Sequence, residues 1–221
     1  MSTAEAPPTR AEWVDSLLRR AIVSGELEPG QKLLAERLAE QWGVSPTPLR
    51  ETFQRLAGEG LVVIEPQRGA RVAPVDAVMA AEIYEMRLLL DPVAVEQSVL
   101  AARDADAGVD SRYVQAVDDA HRALVRRHRS LADYHDAHRQ FHLTLVSRCP
   151  NQRMLAQVAQ LLEHSQRFQV IGLNRPQVRR GDPAAEHEQL RLAACAGDGA
   201  GAATVLRAHL AATLDAVRAA D

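Results

Sequence analysis

Cysteine is nearly missing from this chain: Cys149 and Cys195 are the two in 221 residues. They form no CxxC pair and no disulfide framework, which suits a reducing compartment. Aromatic residues are only 4% of the chain although 47% of it is hydrophobic. The core must then be built from Leu, Val and Ala, and that composition favours packed helices. No apolar run approaches the length of about 18 residues that a membrane span needs. Met1 to Arg10 is polar and holds two prolines, so neither a secretory signal nor an anchor is expected there. Lysine occurs once, at Lys32, and net charge is −3. Binding to nucleic acid would have to come from a local face rather than from overall charge. Even the stretch up to Val75 carries nine Arg/Lys against ten Asp/Glu.

What is present begins with Ser45-Pro46-Thr47-Pro48-Leu49-Arg50-Glu51-Thr52-Phe53-Gln54-Arg55-Leu56-Ala57. Ser45 is expected to cap a helix, with Pro46 at its first position, where a missing N–H costs nothing. Leu49, Phe53 and Leu56 share one face at i, i+4, i+7. Thr47, Arg50 and Gln54 then face outward, as a helix that reads a DNA major groove requires. A short helix, Ala35–Trp42, precedes it and ends at Gly43, which tolerates the left-handed exit. An earlier helix runs from about Thr9 to Ser24, with Trp13, Leu17, Leu18, Ala21 and Ile22 expected as its buried stripe. After Gly60, the β-branched run Leu61–Glu65, a turn at Pro66–Gly69 and a return strand Ala70–Pro74 make a two-stranded wing. Residues 9–75 therefore read as a winged helix-turn-helix.

The motifs Gly25-Glu26-Leu27-Glu28-Pro29-Gly30, Leu38-Ala39-Glu40, Gly43 to Glu51, Arg55-Leu56, Glu59-Gly60-Leu61 and Arg68-Gly69-Ala70 resemble GntR-type bacterial transcription regulators. The resemblance implies base or backbone contacts to DNA from Ser45, Thr47, Arg50 and Gln54, from Arg68 and Gly69 at the wing tip, and from Lys32 and Arg37. It implies a homodimer on a palindromic operator in the cytoplasm, with no membrane role. Two departures bear on the operator sequence. Pro46 stands where many members carry a DNA-reading Arg, and Ala35-Glu36 stands where many carry an acidic-basic pair.

Residues 78–221 read as helix almost throughout. The expected helices are Val78–Ala102, Ser111–Arg129, Leu131–Arg148, one after Asn151 to about Ile171, Ala184–Ala196 and Ala200–Ala220. In the first, Ile83, Met86, Leu90, Val93 and Ala94 or Gln97 repeat at helical spacing. The fold class is mainly α, with an antiparallel bundle of six or seven helices behind the head. Glu85-Met86-Arg87, Gln140-Phe141-His142, Asn151, Glu186-His187-Glu188, Gly197-Asp198 and Ala208-His209-Leu210 resemble the FCD effector domain of the FadR branch of that family.

All eight histidines lie beyond residue 120. His138 and His142 are four apart, the spacing by which two imidazoles on one helix face can share an ion. The resemblance implies a divalent metal held by His142, His187 and His209, with His138 where many members have Asp. Such a ligand set suits Zn²⁺ first and Ni²⁺ second. A metal cation and Arg87 among uncharged imidazoles would favour an anion, so a small organic acid is the expected effector; the resemblance implies that Arg87 faces the metal cavity, and Arg148 and Arg167 are weaker candidates. A buried Arg87 would otherwise need a structural carboxylate such as Glu82 or Glu85. His135 with Asp136 is a further pair that could support the ligands, while His121, His128 and His164 read as surface or packing residues. The expected function is ligand-responsive regulation of transcription, with repression as the expected sign. A metal sensor without organic effector is the alternative. A metal-dependent hydrolase, with Glu186 or Glu188 as base, is disfavoured because both flank His187 and should point away from its face.

Overall fold

The computed structural model describes residues 9–104, 108–173 and 181–219. The chain divides between Val75 and Asp76 into two compact units. The first opens with helix α1, Arg10–Val23. Thr9 caps it and Glu12 reaches back to the Thr9 amide, so two orphan N–H groups are satisfied reciprocally. Its buried stripe is Val14, Leu18, Ala21 and Ile22. The expected stripe was misplaced at Trp13, which is 44% exposed. Trp13 sits one residue before Val14, a rotation of about 100° that takes it off the buried face.

Helix α2 is Ala35–Trp42 and α3 is Pro46–Gly58, joined by a turn in which Gly43 has φ of 66°. That left-handed value is the reason glycine stands there. Ser45 is extended at the cap position but makes no side-chain cap bond. Pro48, the third helical residue, has no N–H and so removes one of the two amides a cap can accept from. Leu49, Phe53 and Leu56 are buried as expected, joined by Thr52. Leu49, Phe53 and Leu56 join Leu18, Leu38, Leu61 and Val72 in one apolar core.

The wing departs from the sequence expectation. It has three strands, β1 (Lys32–Leu33), β2 (Val62–Glu65) and β3 (Gly69–Val72), in the order β1-β3-β2 and antiparallel throughout. Strand β1 has little β propensity of its own. It is held by tertiary hydrogen bonds, with the Gly30 amide donating to Val72 O and the Val72 amide to Gln31 O.

The second unit holds α4 (Ala77–Ala101), a small hairpin of β4 (Arg103–Asp104) and β5 (Gly108–Val109), then α5 (Ser111–Val125), α6 (Leu131–Leu145), α7 (Gln152–Leu173), α8 (Pro183–Cys195) and α9 (Gly199–Arg218). Helix α4 packs along α9 and α7, α5 along α6 and α8, and α8 along α9. Two expected helices were too long: α5 stops at Val125 rather than Arg129, and α6 at Leu145 rather than Arg148. The loop expected from Gly172 is partly helix, since α7 continues to Leu173; residues 174–180 of it lie outside the described residues. Helix α4 also differs from its expected face. Met86 and Val93 are exposed, and the buried face runs through Ala80, Tyr84, Arg87, Asp91, Ala94, Val95 and Ser98. Three polar side chains on that face broke the apolar pattern that periodicity relies on.

Pro92 lies inside α4 and cannot donate to the Leu88 carbonyl one turn back. Arg207 of α9 donates to it instead, Nη1 to O at 3.3 Å.

The corrected face of α1 gives the first expected outcome. Leu18→Ala should cost about 2–5 kcal/mol in denaturant unfolding, the range for a truncated core leucine. Trp13→Ala should stay near the surface range of about 0.5 kcal/mol. A larger loss at Trp13 than at Leu18 would contradict the assigned face.

Candidate functional site

Three helices of the second unit carry the four histidines to one place. His138 and His142 project from α6, His187 from α8 and His209 from α9, and all four are buried. One ligand-type atom from each lies within 4.8 Å of all the others. His142 Nε2 is 3.2 Å from His138 Nε2 and 3.3 Å from His187 Nε2. A ring nitrogen carries either one proton or one in-plane lone pair, so it cannot serve both neighbours as an ordinary hydrogen bond. Nitrogens bound at about 2.0–2.1 Å to one tetrahedral ion would stand about 3.3–3.4 Å apart. The 3.2 and 3.3 Å spacings fit lone pairs that share a focus, within a group that spans up to 4.8 Å. Phe141 and Tyr134 wall the group, Phe141 edge-on to His142 and His187 at 5.6 Å, and Tyr134 stacked on His138 at 6.0 Å.

Loss of water holds His138 and His142 far below the ordinary imidazole pKa, and the neighbouring histidines and Arg87 push the same way. Both are therefore neutral at neutral pH, the form that can donate a lone pair to a metal. His135 is also buried, and Gln166 Nε2 donates to its backbone carbonyl at 2.6 Å.

Arg87 is 1% exposed. Its structural partner is Asp91, one turn on, rather than Glu82 or Glu85. Arg87 Nε donates to Asp91 Oδ2 at 2.9 Å, with Nη2 at 2.8 Å from the same oxygen, and Nη1 donates to Ser165 Oγ at 2.9 Å. Asp91 Oδ1 is buried without a hydrogen-bond partner among the described residues. Burial raises the Asp91 carboxyl above its usual range, and Arg87 offsets this only in part. The Arg87–Asp91 spacing of four was visible in the sequence as a helical ion-pair signal. Arg148 does not join this buried group: its side chain is about half exposed and pairs with Asp110 at 2.6 Å. Its position past the end of α6 explains the correction. Arg167 is buried on α7 and its pKa is pulled down to about 10 by desolvation.

The two glutamates beside His187 part company. Glu188 pairs with Arg191 at 2.7 Å and lies 3.6 Å from His121. Glu186, expected to point away from the histidines, reaches His209 instead, Oε2 to Nδ1 at 2.7 Å. Adjacent helix positions diverge by about 100°, yet the three-carbon reach of a glutamate spans the gap between α8 and α9. Residue spacing carries no signal for such a contact.

In the first unit, Ser45, Thr47, Arg50 and Gln54 lie exposed on α3, and Arg37 on α2. Lys32 on β1 and Arg68 and Gly69 at the wing turn are exposed as well. Arg50 pairs with Glu36 across the helix-turn-helix. Arg19, Arg55 and Arg71 are committed to Asp15, Glu59 and Glu65. Lys32, Arg37, Arg50 and Arg68 are thus exposed on β1, α2, α3 and the wing turn, and Arg10 and Arg20 are exposed on α1.

Comparison with known proteins agrees with this division. Residues 10–72 match the family described as bacterial regulatory proteins, gntR family, and residues 82–212 match the FCD domain. The chain is 30% identical to the uncharacterized HTH-type transcriptional regulator BphR of Paraburkholderia xenovorans, over 98% of this chain and 91% of that one. It is 25% identical to the HTH-type transcriptional repressor GlaR of Escherichia coli, over 87% and 89%. Among solved structures, a putative transcriptional regulator GntR from Rhodococcus shares the fold, with a TM-score of 0.73 at 21% identity and coverage of 97% and 100%. Among the described residues no helix is long and apolar enough to cross a membrane.

The buried imidazoles make metal-free stability pH-dependent. His138 and His142 have folded values below the free value of about 6.5, so the unfolded chain takes up the extra protons. Their contribution is complete above about pH 6.5 and is lost as pH falls below it, at about 1.4 kcal/mol per pH unit for each. Thermal melts of the metal-free protein from about pH 7.5 to about pH 5 should show the decline. A flat melting temperature below pH 6.5, which is about the free imidazole value, would contradict it.

Proposed function

The chain belongs to the GntR family of bacterial regulatory proteins and carries an FCD domain behind its DNA-binding head, and on that premise we propose a cytoplasmic homodimeric repressor governed by a divalent metal and a small carboxylate. That it is a DNA-binding transcription regulator rather than an enzyme follows from the family and its relatives. The metal reading rests on one observation above others: three buried Nε2 atoms from two helices stand 3.2 and 3.3 Å apart. His138, His142, His187 and His209 would hold the ion, Zn²⁺ by preference and Ni²⁺ as the next fit. When bound, the ion supplies a Lewis-acidic anchor for a carboxylate.

The chain's own residues shape the rest of the reading. Arg87 is the cation that an incoming carboxylate could fork onto, but Asp91 already holds it. Effector binding then becomes an exchange of one carboxylate for another. A displaced Asp91, whose carboxyl burial pushes upward in pKa, can take a proton rather than remain a buried unpaired charge. Arg167 is a second buried cation of the same unit. Arg148 drops out of the effector set because it pairs with Asp110 at the surface.

On the DNA side, Arg50 is the candidate base reader, most simply bidentate to a guanine, with Thr47, Ser45 and Gln54 beside it. Arg68, Gly69, Lys32 and Arg37 are candidate backbone or minor-groove contacts. A single head reads too few base pairs to find a site in a genome, and two heads on a palindrome remove that limit.

Two outcomes check this reading. Arg50→Ala should weaken operator binding by about 1–3 kcal/mol and relax base preference, as measured by fluorescence anisotropy. Unchanged affinity and specificity would remove Arg50 from the interface. Elemental analysis of the purified protein should find about one divalent transition metal per chain. The His187→Ala, His209→Ala double variant should lose that metal and any effector response while retaining DNA binding. Parent protein that takes up no zinc or nickel would overturn the metal reading.

A further inference from the structure

The ligand set that converges in the second unit is four imidazoles, with no carboxylate of its own. A divalent ion there would bring two positive charges into a buried group. Asp91 adds no net relief, since it is already paired with Arg87. Glu186 lies beside the group on the far side of His209, with Oε2 2.7 Å from Nδ1, and is itself mostly buried. Its amide is tied to Asp182 O in the first turn of α8, so the backbone from which the side chain reaches is fixed.

We propose that Glu186 is the positioning residue of this metal centre: it orients His209 and supplies the compensating negative charge from outside the ligand set. This rests on the metal reading above. With Nδ1 as the proton carrier toward Glu186, the lone pair of His209 is confined to Nε2, the nitrogen left to offer the cluster. The carboxylate also raises the basicity of that imidazole, which strengthens a nitrogen–metal bond. Glu188, two residues on, has no such part. It belongs to the α5–α8 surface network with Arg191 and His121.

The geometry separates charge from orientation. In Glu186→Gln the amide oxygen can still accept from Nδ1–H, so orientation is kept and charge is lost. In Glu186→Ala both are lost. Glu188→Gln serves as the control on the same helix.

The experiment uses the full chain, with zinc as the probe for affinity, by competition with a chromophoric chelator, and cobalt(II) as the probe for geometry, by its visible spectrum. Zinc affinity should fall by about 10- to 100-fold in Glu186→Gln and at least as far in Glu186→Ala. The cobalt spectrum should be close to that of the parent in Glu186→Gln and altered in Glu186→Ala. Glu188→Gln should match the parent in both. Melting temperatures of the metal-free proteins separate a packing role from this one. If Glu186→Gln and Glu186→Ala melt lower without metal but bind zinc as the parent does, Glu186 is merely structural and the inference fails. Equal loss of affinity in Glu188→Gln would overturn it too. A parent protein that binds no zinc or cobalt overturns the metal reading itself, whereas a parent that binds and variants that bind equally well overturn only the role of Glu186.

Discussion

Four imidazoles packed against one another in a buried site can coexist only if they are neutral. Water that would stabilise their protonated forms is excluded, and each protonated ring would repel the next. That constraint reaches the surrounding helices. α6 must place two histidines on one face a turn apart, α8 and α9 must each bring one to meet them, and Phe141 and Tyr134 must keep solvent out. It also accounts for the company the cluster keeps. Arg87 is buried with its own carboxylate and a serine hydroxyl rather than left as a naked cation among neutral rings.

Legibility in the sequence followed the distance over which each feature is determined. Helix α2, the turn at Gly43 and the start of helix α3 stand where the residues alone place them, because a glycine exit, prolines and apolar spacing act within a few positions. The convergence of His138 and His142 was likewise local, whereas bringing in His187 and His209 needed a family resemblance. Features decided across the fold were missed. Strand β1 exists because Val72 and its neighbours pair with it, not because Lys32 and Leu33 favour a strand. The buried face of α4 was hidden by Arg87, Asp91 and Ser98, polar residues that a bundle core accepts once each has a partner. Glu186 was assigned to the wrong side because helical rotation fixes the direction of a Cβ and says little about the end of a long side chain.

The head shows a different economy. Its total charge is not basic, yet Asp15, Glu59 and Glu65 are occupied by Arg19, Arg55 and Arg71 within the unit. Acidic groups are thereby screened where they stand, and the exposed positions of α3 and the wing turn keep their polar and cationic character. Arg50 alone among the α3 readers carries an acidic neighbour, Glu36, which confines a long side chain that would otherwise sample many rotamers.

Pro92 gives α4 a property that its length conceals. A continuous 25-residue helix behaves as a stiff rod, but here the ladder is interrupted and the Leu88 carbonyl is served from another helix. α4 stays one helix of 25 residues, with its one missing ladder bond at Pro92 made good by Arg207. Arg207 stands two residues before His209 on α9, so the residue mending the backbone of α4 and a member of the histidine cluster share the same half-turn. Helix α9 thus serves the backbone of α4 from its exposed side, through Arg207, and the histidine cluster from its buried side, through His209.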